Sequence, residues 1–107
     1  MPNSLIRSTG YWVPSNVITN DELVASYNAY AERFNAENAA AIAAGQIAEV
    51  PLSNSDFIVN ASGIKRRHVY EKDGILDIER MVPQIAPRPI DEVSTQAEFA
   101  LKSVHQA

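Results

Sequence analysis

The sequence predicts an α/β chain with a single strand at its start and three helices after it, incomplete alone as a sheet protein. Two observations carry this. Strand-forming Leu5, Ile6, Tyr11, Trp12 and Val13 fall within Asn3 to Val13, and a helix-start signal at Thr19 precedes apolar residues at helical spacing. A lone strand leaves its backbone groups unpaired, so one strand with three helices separated by irregular stretches matches the opening of a larger α/β protein.

The strand is expected over Asn3 to Val13, interrupted at Gly10, where a bulge or a close backbone approach is implied. Pro14, Ser15 and Asn16 stop it, and Val17-Ile18 forms a short extended link. Thr19-Asn20-Asp21-Glu22 then fits a capping box, with Thr19 as N-cap and Glu22 three positions on. Asp21 and Glu22 suit the positive end of the helix dipole and need no catalytic role. Leu23, Tyr27, Tyr30 and Phe34 form an apolar stripe. Seven of the residues from Ala36 to Ala48 are Ala, which favours helix but offers little surface to bury. Gly45 ends or bends this stretch, and Pro51 stops it. Residues 28–52 read as a helical extension or insertion.

A second helix is expected over Ser53 to Ser62, with N-cap candidates Ser53, Asn54 and Ser55 and Gly63 at the C′ position. Ile64 to Tyr70 reads as strand or irregular chain carrying Lys65, Arg66, Arg67 and His68. Asp73-Gly74 is a turn signal, one helical turn is expected within Leu76 to Val82, and prolines make 75–90 a Pro-rich loop. A last helix is expected from Asp91 to Gln106, with Val93, Ala97, Ala100, Leu101 and Val104 on its apolar face, Ser94 and Thr95 as N-cap candidates, and Thr95 with Glu98 at capping-box spacing.

Composition limits the chemistry. The chain has 107 residues, a formal charge of −4, two histidines and no cysteine. That excludes a disulfide framework, a thiolate metal site and a cysteine nucleophile within these residues, and a mildly acidic balance argues against nucleic-acid binding. The apolar stretches fall short of a membrane span, and Met-Pro-Asn-Ser-Leu-Ile-Arg does not start like a signal peptide. A cytoplasmic protein, with no nucleic-acid or membrane partner, is the expectation.

Three ordered segments resemble the N-terminal end of a beta-ketoacyl-ACP synthase III, of the thiolase-like superfamily. The first is Ile6 to Glu22, with Thr9-Gly10-Tyr11, Pro14 and the run Val17-Ile18-Thr19-Asn20-Asp21-Glu22-Leu23. The second, Ser53 to His68, is similar to the family's Ser-Asp-Glu-Trp-Ile-x-x-Arg-Thr-Gly-Ile-x-x-Arg segment. The third is Val93-Ser94-Thr95 leading into an Ala-rich helix. The resemblance covers roughly half of the chain by this reading. It implies that residues 1–107 supply the first strand and early helices of a thiolase-like αβαβα fold. The enzyme would be a homodimer working with an acyl carrier protein.

The activity implied is decarboxylative Claisen condensation of an acyl primer with malonyl-ACP in fatty-acid or related biosynthesis. A cysteine takes the acyl group as a thioester, and a histidine and an asparagine promote malonyl decarboxylation. In the family these three lie downstream of the last helix here. They would belong to the remainder of the same enzyme or to a companion chain, and this segment alone is expected to be inactive. No permanently bound cofactor is implied; acyl-CoA or acyl-ACP is the substrate.

The resemblance also places the primer's CoA. Phe57 stands at the family's adenine-stacking tryptophan, Ala61 at its phosphate-approaching arginine, and Ser53 at a small hydroxyl residue at the tunnel mouth. Alanine offers phosphate no partner. The alternatives are replacement by Lys65, Arg66 or Arg67, or a longer or ACP-bound primer. Arg67 matches a fixed arginine whose role is structural pairing.

Plainer readings stand beside these. Phe57 is more often a core residue, the basic run 65–68 a solvated stretch, and the Leu23 stripe core packing, with a cap over an acyl tunnel as its functional counterpart. A non-catalytic helical module binding through its Ala-rich helix is the alternative from another class. A thiolase-like acyltransferase of different chemistry is a third.

Overall fold

A computed structural model describes residues 3–107. The chain divides into two compact units, Ser15–Gln84 and a second formed by the segment through Pro14 together with Ile85–Ala107. Helix and strand are mixed, as an α/β reading requires.

In the larger unit, β1 (Asn16–Thr19) pairs antiparallel with β2 (Arg66–Val69), Asn16 opposite Val69 and Thr19 opposite Arg66. The strand therefore sits where only an extended link was expected, and the described part of Asn3 to Val13 has no regular structure. The cause is partnership. A strand persists where its backbone finds a ladder. Residues 16–19 find one in 66–69, and the Asn16 side-chain amide extends it by donating to the Tyr70 carbonyl at 2.9 Å. Ile18 is buried in this pair.

Helix α1 (Asn20–Glu37) follows directly. Both halves of the capping box form: the Glu22 N–H donates to Thr19 Oγ1 at 3.2 Å, and the Thr19 N–H to Glu22 Oε1 at 3.3 Å. Lys72 pairs with the same carboxylate at 2.6 Å. That hydrogen bond, followed by the Thr19 N–H, holds Glu22 below the usual carboxylate range. The stripe Leu23, Tyr27, Tyr30, Phe34 is only half-buried; the buried positions of α1 are Asn20, Ser26 and Ala31. Asn20 and Ser26 are polar because backbone carbonyls lie against them. Asn20 Nδ2 donates to the Ile64 carbonyl and Ser26 Oγ to the Leu76 carbonyl, each at 2.7 Å.

Of the Ala-rich run, Ala36 and Glu37 finish α1, and Ala39–Ala43 form the short α2, which ends before Gly45. Helix α3 (Ser55–Ser62) takes Asn54 as its N-cap, and Gly63 closes it at φ 74°, the left-handed conformation that glycine adopts freely. A single turn, α4 (Asp73–Leu76), forms where a turn signal was read, ahead of the expected Leu76 to Val82. Glu71 accounts for the shift, because its carboxylate accepts the Gly74 N–H at the start of that turn.

In the smaller unit, α5 (Thr95–Gln106) begins later than Asp91 because Ser94 is the N-cap, its Oγ accepting the Ala97 N–H at 3.2 Å. The Thr95/Glu98 box does not form. Glu98 pairs instead with Arg88 and Lys102, and these two cations, Arg88 first, hold its carboxyl below the usual range. The expected apolar face is turned outward: Val93, Leu101 and Val104 are exposed, and the covered side carries Glu98, Phe99, Lys102 and Ser103. Trp12 meets Phe99 edge-on at 4.6 Å, with the Lys102 ammonium over its ring at 4.2 Å. Gly10 lies against the end of α5, where a Cβ would stand 2.3 Å from the Ser103 carbonyl oxygen. Its role is thus the close approach. Among the described residues no helix is long and apolar enough to cross a membrane.

Candidate functional site

The chemistry of the larger unit gathers on one groove of about 580 Å³, open to solvent. Helix α1 supplies Leu23, Val24 and Tyr27 at the spacing that puts them on one face. Helix α3 supplies Phe57 and Ile58, the extended segment 51–54 forms a wall, and Met81 adds its side chain. No charged side chain is among the lining residues.

The wall is fixed by two side-chain amides. Asn28 Oδ1 accepts the Ser53 N–H at 2.8 Å, and Asn28 Nδ2 donates to the Ser53 carbonyl at 3.0 Å. Asn35 holds Val50 in the same way, with both hydrogen bonds at 2.9 Å. Between them Tyr27 Oη donates to the Pro51 carbonyl at 3.0 Å. These bonds occupy the backbone polar groups that an extended segment would otherwise leave to water. Helix α3 is tied in by Ser55 Oγ, which donates to Asp21, and by Asn54 Oδ1, which accepts the Phe57 N–H at 2.8 Å. Met81 has φ 53°, rare for a residue with a side chain, and its N–H donates to the Asp77 carbonyl at 2.7 Å.

The structure brings Phe57 and Ser53 together in this groove. Phe57, on α3, is 65% exposed. Arg66 and Arg67 are on β2, opposite Thr19 and Ile18, exposed and outside the groove lining. Lys65 meets α1 through its carbonyl, which accepts the Asn20 N–H at 3.3 Å. His68 is opposite Val17 on the same strand pair. Ala61 lies one helical turn beyond Phe57 on α3.

Sequence reasoning did not single out Asn28, Asn35, Pro51, Leu52 or Met81 as site-forming. A signal existed for the first two. Asn is a weak helix former, and two of them seven residues apart share one helix face, a pattern that fits side chains bonding to a neighbouring backbone.

No family model matches the chain. Among characterised proteins, it is 43% identical over 82 residues to a beta-ketodecanoyl-[acyl-carrier-protein] synthase of Pseudomonas aeruginosa. The match takes in 77% of this chain and 23% of the relative's length. The resemblance carried by the sequence motifs therefore holds: along 77% of its length this chain is similar to a beta-ketoacyl-ACP synthase.

Proposed function

We propose that these residues are a segment of a beta-ketoacyl-ACP synthase III-like condensing enzyme, joining an acyl primer to malonyl-ACP with loss of carbon dioxide. The similarity over 77% of the chain is the observation that carries the reading. The acyl-transferring cysteine and its histidine and asparagine partners would lie on polypeptide beyond these residues, which contain no cysteine. The whole enzyme would be a cytoplasmic homodimer of thiolase-like fold, with acyl carrier protein as partner.

The groove is assigned to the primer. Phe57 presents an exposed ring for stacking on the adenine of acyl-CoA, and Ser53 stands beside it. An apolar lining without a cation suits a base or a hydrocarbon chain better than phosphate. Of the alternatives opened by Ala61, a longer acyl primer is favoured, in keeping with the ten-carbon acyl group in the relative's name. Arg66 and Arg67, on β2, remain candidates for phosphate contact.

The test is condensation by the full-length protein, using malonyl-ACP and acyl-CoA primers of graded chain length. Formation of 3-oxoacyl-ACP with the medium-chain primers supports the proposal. Absence of product with every primer overturns it and favours a non-catalytic module or a different acyl transfer.

A further inference from the structure

We propose that Asn28 and Asn35 are positioning residues for primer binding: their side-chain amides latch the segment Val50–Ser53 against α1 and so set the groove wall beside Phe57. The inference deepens the condensing-enzyme reading and rests on it. Its ground is geometric. Each amide makes two hydrogen bonds to one residue's backbone, as a strand neighbour would, at 2.8–3.0 Å. The two residues are seven apart on a helix, hence on one face, and grip backbone positions three residues apart along an extended segment.

The segment they hold is weakly fastened otherwise. Pro51 has no N–H to give, and Leu52 is 55% exposed. Tyr27 alone among the described side chains bonds between the two latches, at the Pro51 carbonyl. Ser53 then leads through the N-cap Asn54 into α3, so the position of Phe57 is coupled to the Asn28 latch through four residues of chain. Releasing the wall leaves the lining residues in place chemically but no longer pre-arranged, and a ligand must then order the wall as it binds.

The experiment uses the full-length enzyme with acyl-CoA and malonyl-ACP. Asn28→Ala is expected to raise the KM for acyl-CoA by roughly three- to tenfold, with kcat and the KM for malonyl-ACP little changed. Asn35→Ala, one step further from Phe57, is expected to do the same by less. Hydrogen exchange supplies a readout independent of activity: the Ser53 amide exchanges faster in Asn28→Ala and the Val50 amide faster in Asn35→Ala. An unchanged primer KM in both variants of an active enzyme overturns the latch proposal alone, as does unchanged exchange at both amides. Should Asn28→Ala not fold, the Asn35→Ala pair of measurements decides by the same criteria. An inactive wild-type enzyme overturns the condensing function, and the positioning role with it.

Discussion

Glu71 closes a turn of chain onto Gly74: both oxygens of its carboxylate lie 3.0 Å from the Gly74 N–H, and one also accepts the Gln84 N–H at 2.6 Å. A single carboxylate thus ties α4 to the chain that follows Met81, a residue of the groove. The Gln84 N–H first, then that of Gly74, hold Glu71 below the usual carboxylate range.

A lowered folded-state value means that Glu71 stabilises the fold at pH above its unfolded value, and that this contribution fades as the pH falls through the lowered value. Exchange of the Gly74 and Gln84 amides in the full-length protein should accelerate on acidification below the ordinary carboxylate range. In Glu71→Gln both should already be faster at neutral pH. Equal protection in the variant would remove Glu71 from this role.

Gly74 is sterically committed. A Cβ there would stand 2.6 Å from a Glu71 oxygen and from the Val82 carbonyl oxygen. Gly74→Ala should lower the melting temperature by an amount corresponding to about 1–3 kcal/mol, the usual range for overpacking. Gly10→Ala should do likewise, since its Cβ would press on the Ser103 carbonyl. An unchanged melting temperature in either would show that the backbone yields there.

Thr19→Ala removes the side-chain half of the capping box. The loss expected is about 1 kcal/mol, read from urea unfolding, with Thr19→Ser retaining most of it. A neutral Thr19→Ala would mean that β1, not the cap, sets the start of α1.

Phe57→Ala should raise the acyl-CoA KM of the full-length enzyme severalfold, by roughly 1 kcal/mol of lost stacking, with smaller change in kcat. Unchanged KM would leave Phe57 as an outward-facing apolar residue without a primer role.

Residues 1–107 produced alone should melt broadly and bind a hydrophobic dye. Among the described residues the buried apolar side chains are Ile18 and Ala31, while Leu5, Ile6, Ile90 and Val104 are each more than two-thirds exposed. So little burial does not offset the conformational entropy of folding. A sharp, reversible transition would contradict this.

The helix starts were legible because their signals are local. Thr19 and Glu22 meet within one turn, and Asn54 and Gly63 bracket α3 by conformations that those residue types favour. The strand was misplaced because strand-forming composition at Asn3 to Val13 says nothing about a partner. Of the groove, Phe57 and Ser53 were named from a resemblance, but the wall was not, since Asn28 and Asn35 act on backbone many residues away.

What residue order settles here is therefore short in range: caps, helix stops, the absence of cysteine and the kinship carried by three segments. Pairing of 16–19 with 66–69, the outward turn of α5's apolar face and the groove between α1 and α3 arise only on folding. Each depends on contacts between residues far apart in sequence. Which distant partner wins is set by geometry and competing contacts that no local pattern encodes.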